Sequence, residues 1–426
     1  MNYLDFIISS QKLGELRGIP SICSAHPFVL EAALSQQSTH PKTVLIEATC
    51  NQVNQFGGYT GMKPADFMRF VSEIADQMKF PRHNLLFGGD HLGPLVWAKE
   101  PSAVAMKKAG QMVNDYVCAG FAKIHIDCSV ACADDQTFTV ADIARRTADL
   151  VRVAEDAAVS AALDPAQLPR YVIGSEVPTA GGVKVGENQL RVTDASSAAE
   201  TLELTKKAFT AQGLESTWER VIALVVQPGV EFGDDEVHEY DQKEASALSR
   251  FIETIPGMIY EAHSTDYQPR NALNALVEDH FGILKVGPAL TFAFREAAFA
   301  LAEIEEKLVE TETSHLRETL ETAMLNNPAE WQKHYGGTSQ HQRIARAFSF
   351  SDRIRYYWNY PTVKTAFNLL LNNLGNDPLP LSLISQYLPI QYEKIRDGQL
   401  TNHPRTLLLS QVKDVLDDYQ FACSLK

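Results

Sequence analysis

Eight times between residues 21 and 290, a run of β-branched and apolar side chains is followed by a polar or glycine-rich loop and then by a stretch with helical periodicity. The runs are SICSA (21–25), TVLIEAT (43–49), LLFGGDH (85–91), KIHIDCS (123–129), YVIGSEV (171–177), VIALVVQPG (221–229), MIYEAHSTD (258–266) and ILKVGPAL (283–290). Helical periodicity falls near 27–34 and over 65–78, 103–119, 141–157, 198–211, 242–254, 271–278 and 292–308. Strands alternating with helices predict a parallel sheet, and eight units predict an α/β fold of the closed (β/α)8, or TIM-barrel, type. An open doubly wound sheet is the alternative.

In such a barrel the strand carboxyl ends open onto one mouth, where loops supply chemistry. Here those ends carry Ser24 and His26, Glu47, Asp90 and His91, Asp127, Glu176, Gln227, Glu261 and His263, and Lys285. The stretch FGGDHLGP (87–94) poses the question most sharply, because an adjacent acid and imidazole after an apolar run must be paired, hydrated or metal-bound. Each polar end taken singly reads equally as a helix cap or a lysine partner. Together they predict a site.

After residue 309 the pattern changes to helix formers and aromatics, as in RIRYYW (353–358), broken at NNPAE, YGGTSQ and NDPLP. The expected division is a barrel over 1–309 and a helical extension packed on it over 310–426, with the aromatics as core. A net charge of −15 argues against a nucleic-acid partner. No apolar run approaches the roughly 20 residues that span a bilayer, and the start, MNYLDFIISSQKLGELRG, lacks the basic-then-apolar order of a signal, so a cytoplasmic protein with no membrane partner is expected. Cys128 and Cys132 form a C-x3-C pair without a second pair or nearby histidine, and read as small buried thiols.

A divalent metal serving a sugar substrate needs imidazole or carboxylate ligands and an open position. His91, Glu176 and His263 end strands three, five and seven, and alternate strands feed one layer of a barrel, so these three are the expected ligands. Asp90 beside them is placed to move a proton to or from a substrate oxygen. For phosphate, backbone N–H groups after strands seven and eight are expected at Ser264, Thr265 and Gly287, with Lys285 or Arg295 nearby. The loop NQFGGYTGM (54–62), after Glu47 and Asn51, lacks the terminal Lys-Ser/Thr of a P-loop, so no nucleotide cofactor is expected.

The segments IEATCNQVNQFGGYTGM (46–62), GGDHLGP (88–94), AGFAKIHIDCS (119–129), VIGSEVP (172–178), VVQPGVEF (225–232), YEAHSTDYQ (260–268), ILKVGPALTFAFRE (283–296) and SDRIRYYW (351–358) closely resemble the Z subunit of bacterial class II tagatose-1,6-bisphosphate aldolase, essentially end to end. The resemblance implies a TIM barrel of galactitol or N-acetylgalactosamine catabolism that lacks aldolase activity alone and stabilises a separate catalytic Y subunit. An older label for the family, tagatose-6-phosphate kinase, asks for a nucleotide motif this sequence does not show. More distantly the chain is similar to the zinc-dependent class II aldolases, whose strand-three Asp-His pair, strand-five glutamate and strand-seven histidine match Asp90 and His91, Glu176 and His263. Where those enzymes carry a further histidine ligand this chain has Gln227, and where they carry a substrate-holding asparagine it has Gly287. The resemblance therefore implies a weakly bound zinc-type metal, a substrate or phosphate set of Glu47, Asn51, Ser264, Thr265, Lys285 and Gly287, and a vestigial or real acid–base role for Asp90. The alternative is a metal-dependent epimerase or aldolase acting on a ketose or ketose phosphate by itself.

Overall fold

Seven of the eight apolar runs, and the described part of the fifth, fold as strands in a computed structural model that describes residues 2–35, 43–174 and 190–424. The strands are β1 (Ile19–Cys23), β2 (Val44–Thr49), β3 (Leu85–Leu92), β4 (Lys123–Ile126), β5 (Arg170–Gly174), β6 (Val221–Val225), β7 (Ile259–Ala262) and β8 (Phe281–Val286). All pair in parallel, and β1 closes onto both β2 and β8, so the expected closed barrel forms. Most strands stop short of their apolar runs, because the polar end residues already belong to the loops. β3 is the exception: it continues through Asp90 and His91 to Leu92, so the acid–imidazole pair stands inside the sheet.

Two glycines in FGGDHLGP have geometric reasons. Register pairs Gly88 with Glu47 on one side and Lys123 on the other, so all three point to the same face, and a Cβ on Gly88 would lie 2.7 Å from the Glu47 carboxylate. At Gly93 a Cβ would lie 1.7 Å from the Asp127 carbonyl oxygen, which lets the chain leaving β3 cross close to that leaving β4.

One end of the barrel is plugged. The helix Tyr3–Lys12, capped by the Asn2 side chain, buries Leu4, Ile7 and Ile8 against Ile19, Leu45, Val172 and Ile283, an apolar cluster that seals the interior at the strand amino ends. The opposite mouth carries the polar ends. A short hairpin, Glu231–Phe232 with Val237–His238, follows β6 beside it.

Beyond the Pro288–Leu308 helix the chain is helical, through Leu316–Asn326, Ser339–Phe348, Pro361–Leu374 and further segments to the long Pro404–Cys423 helix. That last helix packs on the helices Pro27–Leu34, Arg270–Glu278 and Pro288–Leu308, tied by ion pairs from Arg405 to Glu31 and from Arg270 to Asp418. No helix among the described residues is long and apolar enough to cross a membrane. All six cysteines are free, and Cys128 and Cys132 are buried.

Candidate functional site

The barrel interior below the mouth is a lattice of charges. Lys123 Nζ lies 2.7 Å from Glu47 Oε1 and 2.6 Å from Glu261 Oε2. Lys285 Nζ lies 2.8 Å from Asp90 Oδ1, 3.8 Å from Glu261 Oε1 and in direct contact with Glu47 Oε2. All five side chains are buried, at a desolvation cost that only close, well-oriented partners offset. Burial works against charge on Glu261, but Lys123 and Lys285 outweigh it and hold its carboxyl well below the usual range. Lys285 is held charged in the same way, its pKa raised by Asp90, Glu47 and Glu261 against the pull of burial.

Above the lysines sit three imidazoles. Burial opposes a charge on His91, but Asp90 and Asp127 prevail and raise its pKa, whereas burial lowers that of His263 to about 3. The hydrogen bonds agree with one proton fewer on His263. His91 Nδ1–H donates to Asp127 Oδ2 at 2.7 Å, His263 Nε2–H donates to Glu261 Oε1 at 2.9 Å, and the remaining nitrogens, His91 Nε2 and His263 Nδ1, face each other at 3.1 Å. His125 spans Asp90 and β5, with Nδ1 2.9 Å from Asp90 Oδ1 and Nε2 3.2 Å from the Gly174 carbonyl oxygen. For Asp90, burial pushes the carboxyl up, but His91, Lys285 and His125 overcome it and hold it well below the ordinary carboxylate range.

This donor set fits a divalent metal. Asp90, His91, His125 and His263 each offer a ligand atom within 4.8 Å of the others. Zn–N bonds of about 2.0–2.1 Å at tetrahedral angles place neighbouring nitrogens roughly 3.3 Å apart, close to the spacing of His91 Nε2 and His263 Nδ1. Each of these histidines also gives its second N–H to a buried carboxylate, the arrangement that fixes a metal-binding tautomer. The backbone at His91 is left-handed, φ +48°, as is that of Ser264, φ +53°, an uncommon conformation for side-chain-bearing residues that recurs at functional sites.

The mouth holds a cavity with about 130 Å³ of water-accessible space. Asp90, His91, His263 and Lys285 form its floor. Its walls include His26, Asn51, Tyr59, Ser264 and Asp266 from the barrel loops, and Arg355, Tyr356 and Asn359 from the helical extension.

The profile of the GatZ/KbaZ-like D-tagatose-1,6-bisphosphate aldolase subunits matches residues 4–424. The chain belongs to that family. Among solved structures it is similar to a probable tagatose 6 phosphate kinase from Sinorhizobium meliloti, at 46% identity over 96% of this chain and 100% of the other, with a TM-score of 0.87. Slighter likenesses are to a fructuronate-tagaturonate epimerase from Cohnella laeviribosi (10% identity, 97% and 82% covered, TM-score 0.49) and a fructose-bisphosphate aldolase from Campylobacter jejuni (12%, 87% and 91%, TM-score 0.46).

Within this GatZ/KbaZ-like barrel, Asp90, His91 and His263 come together, while Glu176 lies outside the described residues. Gln227 does not face the cluster: its Oε1 accepts the Gly229 N–H at 2.8 Å, within its own loop. The residues expected to hold phosphate are mostly committed elsewhere. Glu47 and Lys285 belong to the charge lattice. Thr265 donates its hydroxyl to the Lys285 carbonyl oxygen at 2.6 Å and meets Tyr419. The N–H groups of Gly287 and Ala289, which open the Pro288–Leu308 helix, donate to Asp266 Oδ1 at 3.0 and 2.8 Å. In the glycine-rich loop, the N–H groups of Phe56 and Gly58 donate to Asn54 Oδ1, and those of Tyr59 and Thr60 to the carbonyls of Asn51 and Gln52. Of the expected set only Asn51, Ser264 and Gly287 line the cavity beside Lys285. Three residues of the site were passed over in the sequence: His125, Asp266 and Arg355. The K-x-H alternation of β4 places Lys123 and His125 on one face and is a usable signal for the first.

Proposed function

We propose that this chain is the non-catalytic subunit of a class II D-tagatose-1,6-bisphosphate aldolase, and that it stabilises a separate catalytic Y subunit in galactitol or N-acetylgalactosamine breakdown. The observation that carries this reading is Asp266. A sugar bisphosphate asks for free N–H groups at a helix start near strands seven and eight, and here a carboxylate of this chain already takes them. A bisphosphate would bring roughly four negative charges against Asp90 and Asp266, with Lys285 already spent on two carboxylates. Asp90, held by Lys285 and with a depressed pKa, is also a feeble proton acceptor for an aldol step.

Stabilisation follows from mass action, because a subunit that binds only the folded partner adds about 2.7 kcal/mol to its stability at roughly 100 times the dissociation constant. The test follows tagatose-bisphosphate cleavage over time at growth temperature with the Y subunit alone, with this protein, and with its Asp90→Ala/His91→Ala variant. Support is expected to survive in the folded double variant; its loss there would place the cavity in the chemistry.

The second reading, a metal-dependent ketose or ketose-phosphate enzyme, is favoured by the facing nitrogens of His91 and His263. A bound zinc-type ion would supply Lewis-acid polarisation of a sugar carbonyl. His91 and His263 would hold it, Asp127 and Glu261 would fix their tautomers, and Asp90 would hold or release a proton beside the substrate oxygen. Binding would be weak, since Asp90 is engaged by Lys285 and His91 must surrender a proton. Turnover of tagatose 1,6-bisphosphate or a related ketose by the isolated protein loaded with zinc, manganese or nickel would put this reading first.

A further inference from the structure

Two cations besides the histidines line the cavity, Lys285 and Arg355, and they differ in one respect. Lys285 touches Glu47 and Asp90. Arg355 is half-buried in the short 3-10 turn Arg353–Tyr357, and no described carboxylate comes within 4.0 Å of its guanidinium, although Asp352 and Asp266 act on it at longer range. It is held by neutral groups: Nη1 donates to the carbonyl oxygens of Ser351 and Asp352, and Nη2 donates to the Tyr356 hydroxyl at 2.9 Å. A guanidinium has five N–H donors, so Nε–H and one Nη2–H have no acceptor among the described residues. A half-buried guanidinium with spare donors on a cavity wall is suited to receive an anion through charge-assisted hydrogen bonds.

The rest of that wall suits hydroxyl groups. Tyr59, Tyr356 and Asn359 are neutral, and so is His26, whose pKa burial lowers to about 3. The His26 Nδ1 atom is itself buried without a hydrogen-bond partner. Asp266, on the neighbouring loop, adds a carboxylate that limits how much negative charge a ligand can bring.

We propose that the cavity binds a sugar-sized polyol with a single anionic end group, a phosphate monoester or a carboxylate, and that Arg355 is the residue that receives it. The inference stands whether or not the chain stabilises a partner. A bisphosphate gains nothing from its second charged end, because Lys285, the other described cation lining the cavity besides the histidines, is already in contact with Glu47 and Asp90.

The test is calorimetric titration of the full chain with ligands that differ only at their ends: D-tagatose, D-tagatose 6-phosphate, D-tagaturonate and D-tagatose 1,6-bisphosphate. The 6-phosphate or the uronate is expected to bind about 10-fold or more tighter than D-tagatose, which is what charge-assisted hydrogen bonds to one arginine supply. Whichever of the two binds tighter identifies the end group, and the bisphosphate should bind no tighter than the 6-phosphate. In Arg355→Gln the anionic ligand should fall to within about threefold of D-tagatose, with Arg355→Lys recovering part of the difference and circular dichroism reporting the fold. With the wild-type protein alone, inorganic phosphate should compete with the anionic ligand, a readout that holds even if Arg355→Gln does not fold. Equal affinity for neutral and anionic ligands, tighter binding of the bisphosphate, no saturable binding by any of the four, survival of the preference in folded Arg355→Gln, or absence of phosphate competition would each overturn the proposal. None of these outcomes bears on support of the Y subunit, so the two readings fail separately.

Discussion

At and below the cavity floor each lysine sits between carboxylates: Lys123 between Glu47 and Glu261, Lys285 between Glu47 and Asp90. Around the walls, titratable groups stand without an opposite charge in contact. Arg355 is held by carbonyls and a phenol. His26 is kept neutral by burial, and next to the wall residue Phe232 the carboxyl of Glu231 is pushed up to about 7 by the same cause. Buried charge in contact with an opposite charge is structural, because it is already compensated without a ligand. A buried group without an opposite charge surrenders its own, as His26 does, whereas the half-buried Arg355 keeps its charge.

The sharpest way to break this contrast is to unpair the floor. Lys285→Met should destabilise the protein by about 3–5 kcal/mol, since Asp90 would stay buried without its lysine and Glu47 would keep only Lys123. Urea unfolding measures it, and a loss under about 1 kcal/mol would mean that water already reaches the lattice.

Glu231, beside the wall, should respond the other way. The folded-state pKa of Glu231 is raised above the ordinary 4.5, so its contribution to stability is full below about pH 4.5 and is lost as pH rises toward 7. Glu231→Gln mimics the neutral acid. It should match the wild type at about pH 4 and be about 2–3 kcal/mol more stable at about pH 8. Parallel stability curves for the two proteins across that range would show that Glu231 finds a partner when ionised.

A smaller effect separates the metal reading from simple packing. Asp127 accepts the His91 Nδ1–H, and partners of this kind, when removed, cost about 10–100-fold in metal affinity. Asp127→Asn should show that loss in zinc titrations while the fold persists. Smallest of all is Gln227→His. Because Gln227 turns to Gly229 rather than to the imidazoles, the new histidine should leave zinc affinity within about threefold and cost roughly 1 kcal/mol for the lost hydrogen bond. A large gain in affinity would show that the loop after β6 can swing into the cluster.

The barrel was legible because β-branched apolar runs alternating with helices leave few other architectures, and the floor because strand ends converge by geometry. Asp90, His91 and His263 were found by position alone. The helix Tyr3–Lys12 was not anticipated, although Leu4, Ile7 and Ile8 have helical spacing after an Asn cap. The Thr265 hydroxyl and the Gly287 N–H are bonded within the chain for a local reason. Asp266, between them in sequence, folds back onto the helix start, and a Ser-Thr-Asp stretch marks a self-capped helix as readily as an anion site. Arg355 lay hidden in an aromatic run whose burial was foreseen. Nothing in RIRYYW tells which of its two arginines turns to the cavity, because that choice is made by helices distant in sequence.

The Pro404–Cys423 helix also bears on how such a chain is made. Its Cys423 carbonyl accepts the N–H of Gly18, at the entrance to β1, and its Tyr419 hydroxyl donates to the Thr265 carbonyl at 2.7 Å. The segment that covers the join between the first and last barrel units is therefore synthesised after every strand it protects. Until it emerges from the ribosome, the apolar flank of the Pro27–Leu34 helix and the seam between β1 and β8 have no cover, and closing the contact spans nearly the whole chain. A nascent barrel of this kind passes through an interval in which chaperones or premature self-association compete for the surface that its own final helix is about to occupy.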